Sequence, residues 1–146
     1  MAYALERKVQ MPGKTTAGAG RAWPPLSLMP TILVAENDNP VRKLISEVLR
    51  ERGYKVLAAS SGDEATAMAA RSEEPINLLV TDIVMTGMGG ADLYAWLKAE
   101  QPSLRVLFIS GFMSREPLEG AFLKKPFTPA ELLAKVGAVL AQGAAG

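Results

Sequence analysis

The stretch LLVTDIVMTGMGG, residues 78–90, constrains this chain more than any other. It begins with an apolar run, Leu78, Leu79 and Val80, that is short and apolar on both faces. A strand of that kind belongs at the centre of a parallel sheet, covered by helices on either side. The run delivers one carboxylate, Asp82, onto a loop that soon turns glycine-rich. Open parallel sheets carry their chemistry at the carboxyl ends of the strands, which makes Asp82 the candidate reactive group.

The rest of the chain alternates as a central parallel strand requires. Residues 32–35 read as a first strand. Pro40 fits the first turn of a helix, where its missing N–H costs nothing. Val41, Leu44, Ile45, Val48 and Leu49 then form one apolar stripe at i, i+3, i+4, i+7 and i+8 before Gly53 stops the helix. Residues 54–58 predict a second strand, and 63–71 a short alanine-rich helix with Ala65, Met68 and Ala69 inward. Residues 77–81 give the third strand, and 91–99 a helix with Leu93, Trp96 and Leu97 inward and Asp92 in its first turn. Residues 105–109 and 121–124 are the fourth and fifth strands. The last helix opens on Thr128, Pro129 and Glu131, a capping box with proline at the first helical position. It buries Leu132, Leu133, Val136, Val139 and Leu140. Strands alternating with helices predict an α/β fold with right-handed crossovers. Eleven residues, Ser110 to Gly120, separate the last two strands. That is near the lower limit of about 10 to 12 for a crossover with its helix. A single turn or irregular loop is expected there, and four long helices in all.

At 146 residues the chain can bury a core without metal or disulfide support. It has neither cysteine nor histidine, which excludes thiolate chemistry and the commonest general base and metal ligand. Catalysis must then rest on carboxylates, lysines, hydroxyls and bound ions. Residues 1–28 hold Arg7, Lys8, Lys14 and Arg21 against Glu6, or +3, so the net charge of +1 leaves +1 − 3 = −2 on residues 29–146. A mildly acidic globular part offers no electrostatic case for nucleic-acid binding. No apolar run approaches the roughly 18 residues of a membrane helix, and residues 1–28 lack the apolar core of a signal peptide. A cytoplasmic protein with no membrane partner is expected. Residues 1–29 carry scattered glycine and proline with no period and read as a disordered or flexible arm. Met29, directly before the first strand, is a second candidate initiator. Residues 30–142 form the folded domain and 143–146 a frayed tail.

The residues just past each strand define the chemistry. After the first come Glu36 and Asn37, after the third Asp82, after the fourth Ser110 and after the fifth Lys125. If these strands are neighbours, two carboxylates, an amide, a hydroxyl and an ammonium share one edge. Taken singly, Glu36 to Asn39 could cap the following helix and Asp82 could be a turn residue. Their convergence is what points to a site. Clustered acidic and amide oxygens without histidine or cysteine select a hard cation, above all Mg²⁺. A metal and a carboxylate facing a lysine and a hydroxyl suit phosphoryl transfer, with Asp82 as nucleophile. Mg²⁺ and Lys125 would neutralise the transferring group, and Ser110 would donate a hydrogen bond to it.

The segments ILVAEND followed by Arg42, LLVTDIVMTGMGG, LFISG and FLKKPF, in that order, resemble the receiver domain of two-component response regulators over about residues 30–142. The wording is nearest to receivers of hybrid sensor histidine kinases. The resemblance implies a flavodoxin-like, doubly wound, five-stranded parallel sheet in the order 2-1-3-4-5. It makes Asp82 the phosphoacceptor, Lys125 the invariant lysine, and Ser110 and Phe122 the switch pair. Glu36 and Asn37 fall on the acidic pair, and the Val84 backbone carbonyl joins them and Asp82 as a ligand to Mg²⁺. The donor implied is a phosphohistidine on a histidine kinase or a histidine phosphotransfer protein. Three positions depart from the family pattern. Asn37 replaces the usual aspartate, Thr86 replaces the usual proline, and the segment from Ser110 to Gly120 is shorter than the helix that forms much of the family's output face. The function expected is a single-domain phosphoacceptor with output through an unidentified partner. A receiver-like binding module with weak or no phosphorylation is the alternative. A flavodoxin-like cofactor binder is disfavoured, because the loop after the first strand lacks a Ser/Thr/Gly-rich phosphate cradle.

Overall fold

A computed structural model describes residues 29–111 and 120–144 of the chain. The elements run in the order β1 (Thr31–Ala35), α1 (Asn39–Arg52), β2 (Lys55–Ala59), α2 (Gly62–Arg71), β3 (Leu78–Asp82), α3 (Gly90–Glu100), β4 (Arg105–Ser110), β5 (Ala121–Lys124) and α4 (Pro129–Ala144). The five strands form one sheet in the order β2-β1-β3-β4-β5, every neighbouring pair parallel. The expected architecture and strand order are both present, with element ends displaced by a residue or so, as hydrogen-bonded ends commonly are.

Alternation along the strands divides the core into two layers. Ile32, Val34, Leu78, Val80, Leu107 and Ile109 point to one face and pack with Ile45 and Leu49 of α1 and Leu132, Val136 and Val139 of α4. Leu33, Leu79, Val106 and Phe108 point to the other face and meet Ala65 of α2 and Leu93 and Leu97 of α3. Leu78, Leu79 and Val80 are all fully buried, as a central strand covered on both sides must be.

Local chemistry sets the helix ends. The Asp38 side chain accepts a hydrogen bond from Val41 N at 3.3 Å and caps α1, while Gly53 closes it at φ 108°, a left-handed conformation that glycine adopts without strain. Ser61 caps α2 by accepting from Glu64 N at 3.0 Å. The capping box of α4 is reciprocal: Glu131 N donates to Thr128 Oγ1 at 3.0 Å, and Thr128 N donates to Glu131 Oε1 at 2.8 Å.

Two side chains expected inward lie outside. Leu44 is 42% exposed and Trp96 48% exposed. Each sits one position before a fully or nearly fully buried residue, Ile45 and Leu97, which puts it on the flank of its helix and not on the line facing the sheet. Ser46 takes the inward flank of α1, and its buried hydroxyl has no hydrogen-bond partner among the described residues.

The parallel connection from β4 to β5 has only residues 111–120 to work with, at the lower limit for a crossover. The expected loss of a helix there falls mainly on residues 112–119, outside the described residues, as does the arm over 1–28. Four helices are present among the described residues. The last of them continues to Ala144, into the segment read as a frayed tail. None of them is long and apolar enough to cross a membrane.

Candidate functional site

The strand registers bring the predicted residues to one edge. Ala35 pairs with Thr81, Asp82 with Ile109, and Ser110 with Lys124, so the residues after β1, β3, β4 and β5 emerge side by side. The β3–α3 loop is folded tightly back. Ile83 N donates to Ile109 O at 3.0 Å, and Gly90 N donates to Ile83 O at 2.9 Å. Gly90 is required by space: a Cβ there would overlap the Asp82 carbonyl oxygen.

Lys125 joins the two carboxylates. Its ammonium donates to Asp82 Oδ2 at 2.7 Å and to Glu36 Oε1 at 2.9 Å, and its backbone N donates to Ser110 O at 2.8 Å, which fixes the lysine at the end of β5. The Lys125–Pro126 peptide bond is cis. Burial works to lower the Lys125 pKa, but hydrogen bonds to Asp82 and Glu36 and the attraction of both carboxylates outweigh it. The ammonium is held above its ordinary range.

Glu36 is 3% exposed and is gripped on every side. Its Oε2 accepts from Asp38 N at 3.0 Å, its N donates to Ala59 O at 3.1 Å, and its carbonyl accepts from Arg42 Nη1 at 2.8 Å. Arg42 also donates to the Asn39 side chain, which braces the β1–α1 loop from one turn into α1. In sequence Arg42 stands out only as part of a motif; its bracing role comes from a bond to a backbone carbonyl. The remaining oxygen of Asp82, Oδ1, accepts from Val84 N at 3.0 Å, a turn that holds the carboxylate at the edge. Val84 itself is 64% exposed.

Ser110 ends β4 at 2% exposure. Phe122 is half-buried on β5, opposite Phe108 in register, and packs against the α2–α3 side of the core. Tyr94 stacks edge-on against Phe108 on that side, with ring centroids 6.0 Å apart. Asn37 lies at the same edge with both ends of its amide engaged. Its Oδ1 accepts from Thr86 N at 2.9 Å and its Nδ2 donates to Ser60 O at 2.6 Å.

The donor chemistry tests the expected cation. Glu36 and Asp82 are hard anionic oxygens gathered around one ammonium, a set that fits a hard divalent ion through two carboxylates. Asn37 offers an oxygen that already accepts a hydrogen bond. Among the described residues no group of three or more His, Cys, Asp or Glu side chains is gathered for a metal.

Comparison with known proteins identifies the family. The response regulator receiver domain family matches residues 32–137. The response regulator receiver protein CpdR of Brucella abortus (strain 2308) is 35% identical over 119 residues, covering 77% of this chain and 98% of its own length. The sensor kinase CckA of the same organism is 32% identical over 144 residues, 94% of this chain but 14% of the kinase. Among solved structures, the receiver domain from the hybrid histidine kinase CckA superposes with a TM-score of 0.67 at 34% identity, covering 75% of this chain and 98% of that one. A parallel 2-1-3-4-5 sheet, a carboxylate at the end of β3 bridged to the lysine after β5, and a family match across all five strands place this chain in the response-regulator receiver family of two-component signalling.

Proposed function

We propose that Asp82 accepts a phosphoryl group from a phosphohistidine of a histidine kinase or histidine phosphotransfer protein. The observation that carries this reading is the bridge from Lys125 to both Asp82 and Glu36 at the carboxyl edge of the sheet. A carboxylate oxygen of Asp82 attacks phosphorus, the phosphorus–nitrogen bond of the donor breaks, and the imidazole leaves with its electron pair. The product is an acyl phosphate on Asp82.

Each neighbour has a task in that step. Lys125 lies against Asp82 and keeps its positive charge across the physiological range, so it can follow the developing charge onto the phosphoryl oxygens. Val84 N holds one oxygen of Asp82 and leaves the other to the ammonium. Ser110, beside Lys125 at the end of β4, would donate its hydroxyl to a phosphoryl oxygen. Phe122 would report the change to the surface. Mg²⁺, when bound through Glu36, Asp82 and the Val84 carbonyl, would supply charge neutralisation of the transferring group. Output then passes to a partner protein.

Incubation with Mg²⁺ and acetyl phosphate should add the mass of one phosphoryl group, and Asp82→Asn should abolish the gain. No mass gain and no NMR response to beryllofluoride at millimolar Mg²⁺ would overturn the reading.

A further inference from the structure

Two of the positions that depart from the family pattern, Asn37 and Thr86, are the two ends of one hydrogen bond. They lie 49 residues apart in sequence, and Thr86 N donates to Asn37 Oδ1 at 2.9 Å. That bond exists because residue 86 carries an N–H, which proline would lack. The other end of the same amide donates to Ser60 O at 2.6 Å, in the turn after β2. Ser60 is in turn held from α2, since its N and its hydroxyl donate to Glu64 Oε1 at 2.6 and 2.9 Å. A continuous polar chain therefore runs from α2 through the β2–α2 turn and the β1–α1 loop to the loop beyond Asp82.

We propose that Asn37 is a positioning residue: its amide latches the loop after Asp82 to the turn after β2 and holds that loop in place without a cation. An amide is suited to this because it accepts from one backbone and donates to another, whereas a carboxylate can only accept. Alanine at 37 removes both contacts. Aspartate keeps an acceptor for Thr86 N but loses the donor to Ser60 O.

The consequence for phosphorylation rests on Asp82 being the phosphoacceptor, but the latch can be measured without it. In chelator-treated protein with no phosphoryl donor, amide hydrogen exchange at Thr86 is followed by NMR in wild type, Asn37→Ala and Asn37→Asp. Loss of the acceptor should speed Thr86 exchange roughly two- to tenfold in Asn37→Ala. The aspartate variant should stay closer to wild type than the alanine variant does. With acetyl phosphate, Asn37→Ala should lower the maximal phosphorylation rate while leaving the half-saturating Mg²⁺ concentration near the wild-type value. Thr86 exchange that is unchanged in Asn37→Ala overturns the proposal, whatever the phosphorylation rates do. So does a raised half-saturating Mg²⁺ concentration with an unchanged maximal rate, which is the behaviour of a metal ligand. If wild type takes up no phosphoryl group, the assignment of Asp82 fails and the exchange result stands on its own.

Discussion

Replacing Lys125 with methionine tests how much of this domain's stability is tied up in its site. Glu36 and Asp82 keep side-chain exposures of 4% and 12%, and Lys125 keeps 24%. At an effective dielectric of about 20, each contact is worth roughly 4 kcal/mol of gross attraction before desolvation is subtracted. Removing one partner of a well-buried pair costs about 3–5 kcal/mol, because a charge is left stranded, and a surface pair costs about 0–1 kcal/mol. Lys125 is mostly covered but keeps a path to solvent, so a loss of about 2–3 kcal/mol is expected near neutral pH. The Lys55–Glu74 pair is an internal control. It is equally short, at 2.8 Å, but 41% and 53% exposed, so Lys55→Met should cost well under about 1 kcal/mol. The sign with pH follows from the raised Lys125 pKa. The stabilisation from the ammonium is complete below the unfolded lysine value of about 10.4 and is lost as pH rises through the folded value. Wild type and Lys125→Met should therefore converge in alkali and stay apart from neutral pH to about pH 9. Urea titrations of wild type, Lys125→Met, Glu36→Gln and the double variant measure both effects. A Lys125–Glu36 coupling below about 0.5 kcal/mol, or a Lys125→Met loss no larger than that of Lys55→Met, would refute the reasoning.

Four further substitutions probe the frame around the site. Gly90→Ala gains helix propensity of about 1 kcal/mol but drives a Cβ into the Asp82 carbonyl and into contact with Thr81, so stability to urea should fall by a net of about 1–2 kcal/mol. Ser46→Ala removes a buried hydroxyl that has no partner among the described residues, and stability should stay level or rise by up to about 1 kcal/mol; a loss above that would reveal a bond to Ser46. Leu97→Ala, at 1% exposure, should cost about 2–5 kcal/mol, and Trp96→Ala, half outside the core, clearly less. Equal losses for that pair would contradict the orientation of α3.

The sheet was legible because its signals are local and repeated. The doubly apolar run at residues 78–80, the stripe through Ile45 and Leu49, and the box at Thr128 and Glu131 each specify an element from neighbouring residues. The site was legible one step further on, since strand ends in a parallel sheet share an edge, and Glu36, Asp82 and Lys125 meet there as expected. Leu44 and Trp96 misled because a stripe counted at i, i+3 and i+4 is wider than the line a flat sheet covers, so its flank positions are decided by the facing layer. The partners of Asn37 could not be read at all. They are backbone groups of Ser60 and Thr86, and backbone donors and acceptors have no residue code.

With those partners in view, the amide at position 37 takes on a different meaning. In sequence it stands where the family has an aspartate, and reads as an oxygen without its charge. In the fold, Glu36 and Asp82 already set two carboxylates against the single ammonium of Lys125. A third carboxylate beside them would raise the repulsion that this edge must bear whenever no cation offsets it. It would also turn an electron-rich oxygen toward the Ser60 carbonyl, where the amide now places an N–H. The neutral side chain thus lowers the repulsion among the acidic groups and fastens their loops with the same atoms. Carrying no negative charge beside Glu36 and Asp82 and fastening the loop after Asp82 are two consequences of one amide.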